Sequence, residues 1–271
     1  MNETFRALAR EAALGAEHMA FGATVLGRAN YAQHAYYSQA FFSLSVGFER
    51  ACKLALLVDH AIDNGGRFPR EKAVRSYGHD LAQLLMSVEE AATRRGFDAQ
   101  IPATQVHRDI ISILSNFAKN VTRYYNVDVL VGKSTVGPSD DPVVTWYRKV
   151  TEPILAVRYT GRRRDRDIAN AQIIEELMGP FSRVHHESET GEQIDSLYAG
   201  ANATSMAKVA KPWERMHVLQ IARFVGNVVS DLGFVAQTEG VDDVPYLSEF
   251  FAIFRNDDAY FRSRKIWSIY P

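Results

Sequence analysis

The chain has one cysteine, Cys52, so an intramolecular disulfide is excluded and the composition suits a reducing compartment. It has no excess of either charge. Its 31 Lys and Arg face 32 Asp and Glu, which leaves only local patches to attract nucleic acid or a membrane. Long apolar runs are also missing. No stretch approaches the roughly 18 uninterrupted apolar residues of a bilayer span. The N-terminus is broken by Glu3, Arg6, Arg10, Glu11 and Glu17, unlike the apolar core of a secretion signal. The expected location is cytoplasmic, with no membrane partner. The phosphate loop GxxxxGK[ST], the dinucleotide fingerprint GxGxxG and the nucleophile elbow GxSxG do not occur. NTPase, dehydrogenase and α/β-hydrolase readings are therefore poor, and no cofactor is expected. HExxH and paired Cys/His spacings are absent too, so no metal site is expected.

What is present is helical periodicity. Phe41, Leu44, Phe48, Ala51, Ala55 and Val58 recur at spacings of three and four, which places them on one helix face. Ile110, Ile113, Phe117 and Tyr124 repeat the pattern, and Val218, Ala222, Val225, Val229, Leu232 and Ala236 form a third seam. Alternating strand patterns are scarce. The expectation is an all-α protein of about eight helices. Thr104 is suited to cap a helix beginning at Gln105, and Gly65-Gly66 to end the long one before it. Pro212 is placed in the first turn of a helix carrying Trp213 and Met216. The polar loop 132–142 divides residues 1–147 from a C-terminal region, 148–271. Both halves carry strong seams, so they are expected to pack on one core.

Several polar groups could carry chemistry. Arg123 and Asn126, at i and i+3, would share a face if their helix persists. They could grip a phosphate and a ribose while Tyr124 and Tyr125 stack on bases. The structural alternative is a helix end whose polar groups satisfy carbonyls. His79 is a proton-carrier candidate at a helix start, beside Asp80, which suits the helix dipole; both could simply be capping groups. Glu49 and Lys53 have the order of a helical ion pair. A metal reading would use His185, His186, Glu187 and Glu189, or Asp59, His60 and Asp63, of which Asp59 and Asp63 could face one ion at i, i+4. Arg162, Arg163 and Arg164 make the one dense basic run, a candidate phosphate contact or an ordinary solvated helix start.

Four motifs stand in order along the chain. They are Leu44-Ser45-Val46-Gly47-Phe48-Glu49-Arg50 with Lys53-Leu54; Gly66-Arg67-Phe68-Pro69; Tyr77-Gly78-His79-Asp80-Leu81; and Arg123-Tyr124-Tyr125-Asn126-Val127-Asp128, with Asp141-Pro142 and Trp146 behind. In this order they resemble the HEPN superfamily, closest to its plasmid- and phage-associated branch, over about residues 36–147. The resemblance implies an antiparallel helical bundle with additional C-terminal helices, commonly a homodimer. It also implies RNA as partner, metal-independent ribonuclease activity in phage defence or a toxin system, and an antitoxin or defence-system partner protein. In such enzymes an Arg and a His, separated by four to six residues, form the site. Here only Arg28 and His34 have that spacing, and they lie before the matched segment. On this reading His79, or His34, moves protons and Arg123, or Arg28, holds phosphate, with Asn126 beside it. The alternative is a non-catalytic helical interaction module.

Overall fold

The structure, a computed structural model, describes residues 2–133, 137 and 140–269. Residues 134–136, 138 and 139 of the expected polar loop lie outside the described residues. Among the described residues the fold is all-α, apart from one two-stranded hairpin. In chain order the helices are α1 (Glu3–Leu26), α2 (Ala35–Asp63), α3 (Glu71–Ser76), α4 (Leu81–Arg94), α5 (Gln105–Ala118), α6 (Tyr125–Leu130) and α7 (Pro142–Trp146). A π-helical turn, Tyr147–Thr151, leads into α8 (Glu152–Arg158) and α9 (Gly161–Met178). The antiparallel strands β1 (His186–Glu187) and β2 (Gln193–Ile194) follow. Then come α10 (Leu197–Thr238), α11 (Ser248–Phe251) and α12 (Asp258–Ser263). The described helices outnumber the eight expected because α3, α6, α7, α11 and α12 are one or two turns long. Such pieces are too short to show a period.

Capping follows local chemistry. Asn2, Asp80, Thr104, Asp141, Ser196 and Asp257 each accept a backbone N–H at a helix start. Past Asp63 the chain turns through Gly65 and Gly66, at φ 60° and 82°, and Gly66 N–H bonds the Ala61 carbonyl at 2.8 Å.

α1 and α2 lie antiparallel at close range. Gly15 meets Ala51 and Gly22 meets Leu44, while Arg50 clamps both carboxylate oxygens of Glu11 at 2.7 and 2.8 Å. α10 is the central rod and packs on α2, α9, α12, α11, α8, α1 and α5. All six seam residues expected on it, and all six on α2, are buried. One continuous core runs from Leu8 to Trp267 and draws on both 1–147 and 148–271.

Two local expectations are corrected. Pro212 does not open a helix; it lies inside the 42-residue α10. An interior proline removes a hydrogen bond and costs about 3 kcal/mol, so the packing of α10 along its length outweighs it. Tyr124 does not extend the α5 face. α5 ends at Ala118, and Tyr124 is 57% exposed. α10 also contains an 18-residue window of mean hydropathy 1.3, long and apolar enough to cross a membrane, yet 67% of that window is buried in the protein. Its apolarity serves the core.

Candidate functional site

Three cavities adjoin: the first and third share Tyr31 of the α1–α2 connection, the first and second share Ser188 and Glu189, and the second and third share Ala207 and Lys211. The first, a cleft of about 620 Å³, is walled by the start of α2, the α5–α6 connection, the start of α7 and the β1–β2 turn. It gathers His34, Thr122, Arg123, Tyr124, Tyr125 and Asn126, together with Asp141, Glu187 and Glu189. Three buried polar atoms there have no partner among the described residues: His34 Nε2, Thr122 Oγ1 and Arg123 Nε. Buried polar atoms are almost always hydrogen-bonded, so three orphans on one cleft single it out as the candidate site.

Arg123 is positioned by aromatic faces. Its guanidinium carbon lies 5.1 Å from the Phe42 ring centre and 5.5 Å from that of Phe117. No carboxylate among the described residues is within ion-pair distance of it. His34 precedes α2 in helical conformation, and its ring meets Tyr37 edge-on at 6.4 Å. Asp141 spends one carboxylate oxygen on the N–H groups of Val143 and Val144. Burial, reinforced by Asp141 and Asp140, pushes the Tyr125 hydroxyl above its usual pKa. The cleft therefore holds one cation among three carboxylates, beside a buried imidazole nitrogen that has no partner among the described residues.

Behind the cleft runs a buried polar chain. Tyr37 donates to Glu189 Oε1 at 3.1 Å and accepts from Lys211 Nζ at 2.7 Å. Lys211 also donates to Glu214 at 2.8 Å, and Glu214 accepts from Trp146 Nε1 at 3.0 Å and Thr151 Oγ1 at 2.7 Å. A π-turn bonds residues five apart, which sets Trp146 and Thr151 side by side for the one carboxylate. Burial, then the charges of Glu214 and Glu189, raises the Tyr37 pKa well above its usual value. This chain links the cleft to the second cavity, about 310 Å³, where Glu189, Lys211 and Tyr147 meet Asn202, whose buried Oδ1 is also unpartnered. Burial pushes the Tyr147 phenol up to about 12.

No family model, curated protein or solved structure matches this chain.

The sequence-expected residues separate as follows. Arg123, Asn126, Tyr124, Tyr125 and His34 share the cleft. Arg123 and Asn126 are not on one helix face, because Arg123 lies in the connection and Asn126 in α6. His79 lines a different groove, with Glu49, Lys53 and Lys119, and only Arg123 borders both. Its Nδ1 sits 2.9 Å from Glu49 Oε1, which also takes Lys53 at 2.9 Å. Asp80 caps α4 and is held by Lys119 and Ser115. Arg28 turns away from His34 into the third cavity. Arg162, Arg163 and Arg164 are exposed on the first turn of α9, outside all three cavities. Asp59 and Asp63 are both engaged by Arg95, at 2.6 and 2.7 Å. Among the described residues no group of three His, Cys, Asp or Glu side chains is arranged to hold a metal ion.

Sequence reasoning missed Thr122, Tyr37, Lys211 and Glu214. Only Lys211-x-x-Glu214 carried a signal, and an i, i+3 pair is indistinguishable from a surface ion pair until its burial is known.

Proposed function

We propose that this chain is a HEPN-like RNA-binding protein that cuts single-stranded RNA at the His34–Arg123 cleft without a metal. The observation that carries the reading is the convergence of unpartnered His34 Nε2, Arg123 Nε and Thr122 Oγ1 on one cleft beside exposed Tyr124. Arg123 would hold the scissile phosphate by its fork of donors. Asn126 and the carboxylates of Glu187 and Glu189 suit ribose hydroxyls and base edges better than a run of phosphates. An imidazole can take up a proton near neutral pH. His34 would take the 2′-OH proton as the 2′-oxygen bonds to phosphorus. The bond from phosphorus to the 5′-oxygen breaks, and that oxygen takes a proton from solvent, leaving a 2′,3′-cyclic phosphate and a 5′-hydroxyl. The nucleophile belongs to the substrate, so the step needs no metal. His79, paired to Glu49 in the neighbouring groove, takes no part in this step. The exposed Arg162–Arg164 run would add salt-dependent affinity.

The test is incubation of purified protein with single-stranded and transfer RNA in chelator. Cyclic-phosphate ends are expected, with rates falling at least about 100-fold in His34→Ala and Arg123→Ala. Intact RNA, together with unchanged RNA affinity in Arg123→Ala, would overturn the reading.

A second reading, a non-catalytic interaction module, is favoured by α9. Only Ala171 of that helix is buried, while Ile173, Leu177, Met178 and nearby Phe181 are exposed. Loss of self-association or partner capture in Leu177→Asp/Phe181→Asp, with no RNA cleavage by the parent, would support it.

A further inference from the structure

We infer that the third cavity, between the α1–α2 connection, α10 and the segment after α12, is a separate site for a chain of linked phosphates. The cavity is about 660 Å³ and is lined by six Lys and Arg side chains and no Asp or Glu. In a chain with 31 basic and 32 acidic residues, that segregation does not follow from composition. Lys211 is neutralised by Glu214 at 2.8 Å. The other five, Arg28, Lys208, Arg215, Arg262 and Lys265, have no carboxylate within ion-pair distance among the described residues.

Arg215 carries the argument. It is 3% exposed, and a buried charge is ordinarily paired with an opposite one. Arg215 meets only carbonyls: Nη2 donates to Arg262 at 2.8 Å and Nε to Phe261 at 3.3 Å. Burial alone draws its pKa down to about 10, so it is still a cation at neutral pH. Its Nη1 has no hydrogen bond among the described residues. A Cβ at Gly27 would lie 2.7 Å from that nitrogen, so the glycine leaves room for the guanidinium. Arg262 is held against Trp213 at 4.5 Å, and Arg158 meets the same ring at 3.7 Å. Arg28, Lys208 and Lys265 are exposed at the mouth. The arrangement is a fixed guanidinium at the base with cations around it.

Five uncompensated positive charges match a ligand with three or four negative ones, and guanidinium forks match phosphate oxygens. A triphosphate has that charge. It could come from a free nucleoside triphosphate or from the 5′-triphosphate end of an RNA strand. Tyr31, anchored by its hydroxyl to Gly200 O at 3.3 Å, borders both this cavity and the His34 cleft. A strand end seated here would therefore lie next to the cleft. The inference does not rest on RNA cleavage, because binding of inorganic triphosphate requires none.

Calorimetry of the full chain with inorganic triphosphate tests it. One-to-one binding is expected, weakened at least tenfold in Arg215→Met and in Lys208→Glu/Lys265→Glu. The second variant changes only exposed side chains and keeps the test sound if Arg215→Met fails to fold. Tighter binding of 5′-triphosphorylated than of 5′-hydroxyl RNA assigns the strand end. A nucleoside triphosphate binding as well as inorganic triphosphate, with no gain from the strand, assigns the free nucleotide. Absence of binding at millimolar triphosphate, or equal affinity of the parent and Lys208→Glu/Lys265→Glu, would overturn the site.

Discussion

Glu214 is fully buried and serves Lys211, Trp146 and Thr151 at once. A buried ion pair gains little over apolar residues of the same shape, but removing one member strands the other. Glu214→Leu is thus expected to destabilise the protein by about 3–5 kcal/mol. Adding Lys211→Met should return part of that loss, because Lys211 is then no longer stranded, while the Trp146 and Thr151 donors still lack their acceptor. Denaturant unfolding of the two variants checks it; equal destabilisation of single and double variants would mean that packing, and not charge, governs the position. The residue scale is also where the sequence is least legible. The Glu49–Lys53 pair could be read from its spacing and is present at 2.9 Å. That His79 joins Glu49 from 30 residues away could not be read, nor that Tyr37 reaches Lys211 across 174 residues. Such contacts are set by which helix faces meet, which no local pattern encodes.

Elements were far more legible, because amphipathic periodicity and caps are local. The α2 and α10 seams, the Thr104 and Asp80 caps and the Gly65-Gly66 exit all follow from nearest neighbours. Pro212 misled because the same residue suits a first turn and survives inside a well-packed rod. Arg123 and Asn126 misled because the chain leaves the helix at Ala118 through Asn120, at φ 61°, an unusual conformation for any residue but glycine. The glycines of the α1–α2 contact are packing glycines. A Cβ at residue 47 would meet Met19 N and Cγ at 2.7 Å and Gly15 O at 3.0 Å. Gly47→Ala must push the helices apart and is expected to cost about 1–3 kcal/mol despite alanine's better helix propensity. Thermal unfolding measures this. A stabilised Gly47→Ala variant would show that the two helices can separate freely there.

At the scale of the whole molecule, polar contacts tie distant segments to the central rod. His107 of α5 is 3% exposed, and its Nε2 lies 2.7 Å from Gln220 Oε1 on α10. His217 Nδ1 is 3.0 Å from the same oxygen, and Gln220 Nε2 donates to Asp258 of α12 at 2.9 Å. An amide oxygen accepts, so both imidazoles donate to it, and Thr104 donates to the remaining nitrogen of a neutral His107. Burial, with His217 beside it, lowers the His107 pKa to about 4, and burial lowers that of His217 as well. A histidine whose folded pKa is depressed is held neutral by the fold. Its contribution is complete above the unfolded value near 6.5 and is lost as pH falls toward the folded value. Asp80 acts lower on the scale. Lys119, then Ser115 and the Gln83 N–H, hold its pKa below 3.8 against the effect of burial. Its contribution is present above that value and disappears beneath it. On these groups stability should therefore be flat between about pH 7 and 9, fall between about 6.5 and 4, and fall again at stronger acid. His107→Phe, which fills the site without a proton to gain, should shrink the first decline to the part that His217 contributes and leave the second. Unfolding free energies at pH 7, 5 and 3 decide it; an unchanged slope between 7 and 5 in His107→Phe would place the acid sensitivity elsewhere.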